Sequence, residues 1–381
     1  AKGLKLQGCD ITIVSAFPHY PHGKIPKEYR GRLITVESVE GMRIIRTTVP
    51  PLSHSSVSKR ILMHMSFMLS SLLGAFYVRR FDIIIAMNPN FFSFFPALIY
   101  GVIFRKKIIR NVDDLWPEVF YDLGIVRNRI AKRILDSLSR ISYQIPVAII
   151  PVSKGYLRIL KDKYKIFPEK ITIIEHGVDV TRFHRTVRAE SPAKTKKIIM
   201  YSGAITQGYD FETVIKAAHL INDERIQFII RGTGDSIVEV QELMKKHEVR
   251  NVELRTELLP QDELVALLNS ADIFLLPMSS VGVIDEGLPT KILEYQALGK
   301  PIVCLSTGEA GRYISATRSG IIVPRDPGAL AEAILKLAND ENLARTLGQN
   351  ALSNVQGNLT LDIIGMRLLN VIENSLRKSI T

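Results

Sequence analysis

Short β-branched apolar runs alternate along this chain with longer stretches whose apolar positions recur three and four apart. That pattern predicts strands joined by crossover helices, the arrangement that builds parallel sheets. In the first half, strands are predicted at 10–16 (DITIVSA), 82–88, 107–112, 147–153 and 170–177, with a helix over 127–144. A hairpin is predicted within 33–48, where the alternation breaks at Glu40-Gly41. The periodicity lapses over 184–197 (HRTVRAESPAKTKK), which reads as a linker. A second series follows, with strands at 197–203, 225–232, 251–257, 271–277, 300–305 and 320–324, and closing helices near 326–338, 340–354 and 359–377. The expected class is α/β, with two Rossmann-like domains whose strand carboxyl ends face each other across a cleft. The boundaries are an N-terminal domain 1–183, a linker 184–197 and a C-terminal domain 198–358, with the helix 359–381 completing the first domain.

Two apolar stretches interrupt this regularity. Residues 61–78 (ILMHMSFMLSSLLGAFYV) are flanked by Lys59-Arg60 and Arg79-Arg80, and residues 91–104 (FFSFFPALIYGVIF) are followed by Arg105-Lys106-Lys107. A bilayer-spanning helix needs about 20 strongly apolar residues, and His64, Ser66, Ser70 and Ser71 weigh against insertion of the first stretch. Both are expected as helices packed on the sheet. The competing reading is an interfacial helix whose basic ends meet lipid headgroups, giving peripheral contact with the inner face of a membrane.

Composition narrows the class. A chain of 381 residues, 46% hydrophobic and 23% charged, is long enough for two domains with separate cores and is not disorder-dominated. The two cysteines, Cys9 and Cys304, exclude a disulfide framework and a Cys-rich zinc site, and they fit a reducing cytosol. A formal charge of +12 and a pI near 9.6 point to an anionic partner (a nucleotide, a lipid phosphate, a membrane surface or nucleic acid) or to a solvated cationic face. No aromatic-basic RNA motif, helix-turn-helix signal or zinc spacing is present, so nucleic acid is not expected. The opening AKGLKLQG reads as the last turn of a helix, and an upstream segment is expected.

The stretch 285–303 (DEGLPTKILEYQALGKPIV) concentrates the candidate chemistry. An acidic turn, Asp285-Glu286-Gly287, leads into a helix whose first position suits Pro289, and Gly299 stops that helix before the next strand. A helix N-terminus at the carboxyl edge of a parallel sheet offers free N–H groups to an anion such as a diphosphate. Lys291 adds a full charge there, and Thr290 and Glu294, four apart, share one helix face.

The spacing of Glu286 and Glu294, with seven residues between them, resembles the Glu-x7-Glu signature of glycosyltransferase family 4, the retaining family with the GT-B fold. Leu293-Glu294-Tyr295, Ala297 and Gly299-Lys300-Pro301-Ile302-Val303 match as well, and the Pro-Thr-Lys segment resembles amino-sugar transferases of surface-polysaccharide assembly. The resemblance implies that Glu286 binds donor-sugar hydroxyls near the reacting carbon and that Glu294 binds the ribose of a nucleotide-sugar donor. His176-Gly177-Val178-Asp179 and Phe183 resemble the crossover between domains, and SAFPHYPHGKI (15–25), with His19 and Tyr20, resembles a loop near the acceptor. Asp114-Leu115-Trp116-Pro117-Glu118 resembles the same subgroup, which puts Trp116 on the acceptor side. Gly203 opens the second domain, and Arg231-Gly232-Thr233-Gly234 ends its next strand beside the nucleotide.

Three departures stand out. Where many relatives carry an Arg and a Lys for the diphosphate, this chain has Gly203-Ala204-Ile205-Thr206-Gln207-Gly208, and Lys291, with Arg231, is expected to supply the missing charge. Asp113 stands where many relatives place a catalytic-site histidine. The first strand of the family and its glycine-rich loop would precede residue 1. The activity implied is retaining, metal-independent transfer of a hexosyl or N-acetylhexosaminyl group from a UDP- or GDP-sugar, without a cofactor, to a glycan or lipid-linked acceptor. A donor phosphate oxygen would take the acceptor proton. A GT-B nucleotide-sugar epimerase and a non-enzymatic basic membrane- or nucleic-acid-binding protein are the alternatives.

Overall fold

The computed structural model describes the chain except for residues 20–23, 53–56, 89–90, 186–195, 281 and 378–381. Most of the expected linker therefore lies outside the described residues. The chain divides into two compact units, residues 1–174 with 364–381, and residues 175–363.

In the first unit, α1 (Lys2–Leu6) leads to β1 (Thr12–Ala16), and the hairpin of β2 (Ile34–Val39) and β3 (Met42–Thr47) follows. Glu40 and Gly41, both at positive φ (51° and 73°), make the tight turn that matches the twist of the paired strands. β1 pairs parallel with β3, giving a three-stranded sheet in the order β1-β3-β2. Then come α2 (Val57–Leu73), β4 (Ile83–Met87), α3 (Phe94–Ile103), β5 (Lys107–Val112), α4 (Glu118–Asp122), α5 (Arg129–Gln144) and β6 (Ala148–Pro151). β4, β5 and β6 form a parallel sheet in that order. Asn128 caps α5 by accepting from the amides of Ile130 and Ala131 (2.8 and 3.1 Å).

The strand expected over 170–177 is reduced to one bridge, Ile171 with Ile149, extended by amide bonds from Thr172 and Ile174 to the carbonyls of Ile149 and Pro151. The chain leaves the unit at Glu175, so no length remains for a ladder. The two apolar stretches are helical, but only one face of each packs inward. Met63, Ser70 and Ser71 of α2 and Phe94, Ala97 and Tyr100 of α3 are buried. Leu62, Met65, Leu69 and Leu73 of α2, Phe76 just beyond it, and Ile99, Val102 and Ile103 of α3 are exposed. Among the described residues no helix is long and apolar enough to cross a membrane.

The second unit holds β7 (Lys197–Ser202), α6 (Phe211–Leu220), β8 (Ile226–Arg231), α7 (Ile237–Lys246), β9 (Val252–Arg255), α8 (Gln261–Asn269) and β10 (Ile273–Leu276). It continues with α9 (Thr290–Ala297), β11 (Ile302–Cys304), α10 (Glu309–Ala316), β12 (Gly320–Ile322), α11 (Pro327–Asn339), α12 (Glu341–Asn358) and the start of α13 (Leu361–Arg377). Its six strands are all parallel, in the order β12-β11-β10-β7-β8-β9. The strands are too apolar to face water on either side: Ile199, Tyr201, Phe228, Ile230, Ile273 and Val303 are buried in one core with α6 and α11. From Ile364 onward α13 belongs to the first unit. There a Cβ on Gly365 would meet the Gly3 carbonyl oxygen at 2.1 Å, and Lys107 Nζ donates to the carbonyls of Ser375 and Leu376 (2.9 and 3.1 Å).

Candidate functional site

The sheet of the second unit reverses its winding between β7 and β10, which are adjacent although the two strands following β7 run outward on one side and those after β10 on the other. In doubly wound sheets this switch point, at the strand carboxyl ends, is where a ligand crevice opens. β7 ends there at Ser202, just before Gly203, and the segment after β10 leads to α9.

Tyr295 fastens α9 to the sheet. Its hydroxyl accepts from the Ser202 amide (2.9 Å) and donates to the Ser202 carbonyl (3.0 Å), while its ring stacks on Phe274 at 3.9 Å with 2° between planes. That anchor lays Lys291 over the end of β7. Nζ of Lys291 hydrogen-bonds to the Tyr209 hydroxyl and lies 3.3 Å from that of Tyr201, and it sits 4.1 and 5.1 Å from the two ring centroids. Among the described residues no carboxylate is within ion-pairing distance of it. Gly203 permits the arrangement: its φ is 156°, and a Cβ there would come within 2.7 Å of Lys291 Nζ. Helix α9 starts one position later than expected, with Pro289 as its N-cap and Thr290, exposed, as its first residue. Glu294, one turn on, is half-buried, and burial raises its carboxyl pKa against an opposing pull from Lys291.

The acidic turn before α9 is tied to the segment after β11. Ser306 Oγ donates to Asp285 and accepts from the Gly308 amide (2.9 Å). Glu286 pairs with Arg312, whose guanidinium also reaches Glu309 at 3.0 Å. Gly287 is buried, its amide bonded to the Ile284 carbonyl at 3.1 Å.

Gly232 and Gly234 have a packing explanation. A Cβ on Gly232 (φ 149°) would stand 1.7 Å from the Gly203 carbonyl oxygen, and one on Gly234 would stand 1.9 Å from that of Ile205. The two strand ends are laced by Gly203 N to Arg231 O and Ile205 N to Thr233 O, each 2.9 Å. Arg231 is buried and donates to the Glu257 carbonyl at 3.3 Å, while its Nε has no partner among the described residues.

In the first unit, Asp113 follows β5. Asn111 Nδ2 donates to its carboxylate at 2.7 Å, yet burial pushes its pKa up to about 6. Asn88, after β4, donates to the Asp114 carbonyl (2.6 Å), and Tyr156 to that of Asp113 (3.1 Å). Trp116 packs on Phe120, with ring centroids 3.9 Å apart, and its indole N–H is buried without a partner among the described residues. His19 Nδ1 lies 2.7 Å from the Phe17 carbonyl. Tyr20 lies outside the described residues.

Several residues escaped the sequence reading. Arg312, the partner of Glu286, is 26 positions away with no local signal. Tyr201 read only as part of the segment that opens the second domain, and Tyr209 carried no signal. Arg110 was legible in principle, as a lone charge in the apolar strand KIIRNV: it is fully buried against the Phe94 ring (5.4 Å), its guanidinium has no hydrogen-bond partner among the described residues, and burial pushes its pKa down to about 10.

Known proteins bear on both units. Residues 184–353 match the family model described as Glycosyl transferases group 1, and residues 1–182 the one described as Glycosyltransferase Family 4. A protein of Escherichia coli (strain K12) named for glycosyl transfer in colanic acid biosynthesis, WcaI, is 25% identical over 377 residues, covering 90% of this chain and 91% of that one. Among solved structures, the sucrose-phosphate synthase of Thermosynechococcus elongatus superposes with a TM-score of 0.76 at 17% identity, covering 98% of this chain and 90% of that one. Anabaena Alr3699/HepE, solved in complex with UDP, superposes with a TM-score of 0.67 at 15% identity, covering 96% of this chain and all (100%) of that one. At such identities these two likenesses speak for the fold.

Proposed function

Because the chain belongs to the group 1 glycosyltransferases and has their GT-B fold of two Rossmann-like units, we propose that it transfers a hexosyl or N-acetylhexosaminyl group from a UDP- or GDP-sugar to a glycan or lipid-linked acceptor. Anomeric configuration is retained and no metal ion is required. The observation that carries this reading is Lys291: a half-buried cation held over Gly203 at the switch point, with two phenols around it and, among the described residues, no carboxylate within ion-pairing distance. A donor diphosphate supplies the missing negative charge. HepE, which has been solved with UDP, supports a nucleotide in a fold of this kind.

The remaining roles follow from position. Glu294 receives the ribose hydroxyls one helical turn beyond Lys291, and Glu286, oriented by Arg312, receives hydroxyls of the donor sugar. Asp113, whose carboxyl has a pKa near 6, accepts hydrogen bonds from a sugar hydroxyl on the side of the first unit. A donor phosphate oxygen takes the acceptor proton during front-face displacement, so these residues contribute orientation and leaving-group stabilisation. The exposed apolar stripe of α2 supports peripheral contact with the cytoplasmic face of a membrane.

Calorimetric titration with UDP, GDP and ADP tests the reading. Saturable binding of one nucleotide, weakened in Glu294→Ala, is expected. Absence of binding to all three by the folded chain would sink it.

A further inference from the structure

A charge stands inside the apolar part of the first unit. Arg110 occupies the middle of β5, in register between Ala86 of β4 and Ile149 of β6. Side chains alternate along a strand, so Arg110 shares a face with Ile108 and Ala86, which pack with Phe94 and Ala97 of α3 in one buried apolar cluster. Its guanidinium carbon lies 5.4 Å from the Phe94 ring centroid. The side chain is fully buried, and Nε and both terminal nitrogens have no hydrogen-bond partner among the described residues.

The neighbouring carboxylates are engaged elsewhere. Asp113, on the same stretch of chain, accepts from Asn111 Nδ2 at 2.7 Å. Glu118 accepts from Lys163 at 2.9 Å and from Tyr164. Burial is the largest influence on Arg110 and brings its pKa down to about 10, against smaller opposite pulls from Tyr143 and Asp113. The guanidinium therefore stays charged at neutral pH. A buried cation with neither ion pair nor hydrogen bond is costly, and cores answer it with an opposite charge, with water or with a bound ion. Two more buried polar atoms beyond the ends of β4 and β5 lack partners among the described residues, Asn88 Oδ1 and the Trp116 indole N–H. Tyr143, on which the Arg110 charge acts, donates to the Trp116 carbonyl at 3.3 Å.

We propose that Arg110 binds a small monovalent anion of the halide class inside the first unit, through the N–H groups of its guanidinium. Water alone would leave the positive charge uncompensated, and an ordered water needs several polar partners, which the wall of Ala86, Ile108 and Phe94 does not offer. A halide asks only for N–H donors in a dry surround, where charge-assisted bonds are strongest. The site belongs to β5, the strand that leads to Asp113 and Trp116, and the inference does not depend on the transferase reading.

The full chain is heated in sodium gluconate, whose anion is too large for a buried site, and in mixtures where chloride or bromide replaces gluconate at one ionic strength. Tm is expected to climb with either halide and then level off, as binding to the folded state alone requires. Arg110→Met, which fills the space without the charge, should lose this response and match or exceed the parent's Tm in gluconate, because it no longer buries a bare cation. Crystals of the parent grown in bromide give a second measure that does not depend on the variant's folding. An anomalous peak within hydrogen-bond distance of the Arg110 guanidinium supports the inference. Equal Tm in gluconate and halide overturns it, as does a halide response that Arg110→Met keeps. Density beside Arg110 without anomalous signal is a water bridging toward Asn88, and that outcome, or no density at all, overturns it too.

Discussion

Lys291 and Asp113 are both ionisable groups with little access to water. Lys291 sits among phenol oxygens and ring faces, with no carboxylate bonded to it among the described residues. Removing it as Lys291→Ala should weaken nucleotide binding about 10- to 100-fold, the scale of a lost charge-assisted bond. Tyr209→Phe, which keeps the ring but not the hydroxyl, should cost less; calorimetry on both variants checks the order. Asp113 gains too little from Asn111 to offset its burial, so its pKa rises from 3.8 to about 6. For a raised carboxyl the folded state holds the proton more tightly, so its stabilising contribution is complete below about pH 4 and is lost as pH rises through 6. Asp113→Asn should therefore gain stability relative to the parent between pH 4 and 7, by about 1–2 kcal/mol at the upper end. Urea unfolding across that range would show an unchanging gap if the carboxyl titrated normally.

At the level of elements, the local signals and the long-range ones separate cleanly. Most strands of the second unit read directly as apolar runs, because a sheet covered on both faces leaves no polar alternation to confuse them, while the edge strand β9 (VELR) keeps an alternation. Pro289, Gly299 and the two glutamates were legible because a strand, an acidic turn and a helix start are written in consecutive residues. What consecutive residues do not write is the register between elements. Tyr295 read as a helix position, yet it clamps α9 to the backbone of Ser202, 93 positions away, and so decides where Lys291 points. Tyr295→Phe should lower stability by about 1–3 kcal/mol, because the buried Ser202 amide loses its acceptor. Donor affinity should fall with it; an unchanged Tm would mean that α9 is held by its other contacts, such as α12. Helix α2 marks the opposite limit. Its sequence favoured a helix packed on the sheet over an interfacial one, and only packing reveals that Leu62, Met65, Leu69 and Leu73 stay uncovered.

Over the whole molecule, the arrangement is discontinuous: residues 364–381 complete a unit whose remainder is residues 1–174. The helical pattern at 359–377 was plain in the sequence and the first domain was its expected place, but the contacts that hold it, of Gly365 with Gly3 and of Lys107 with Ser375, span most of the chain and were not legible. A chain cut after Ile363 should keep a protease-resistant fragment covering residues 196–363, while residues 1–174 are digested. Limited proteolysis followed by mass measurement would count against this if both halves survived equally.

The return of α13 also sets an order of events during synthesis. The ribosome releases residues 1–174 first, but the helix that packs against α1 and the start of β5 emerges only after all of residues 175–363. The second unit is contiguous and can close as soon as it clears the tunnel. The first must wait with the contact surface of α13 open, so the part made earliest is the part sealed last, and throughout that interval it is the share of the nascent chain most in need of chaperone protection.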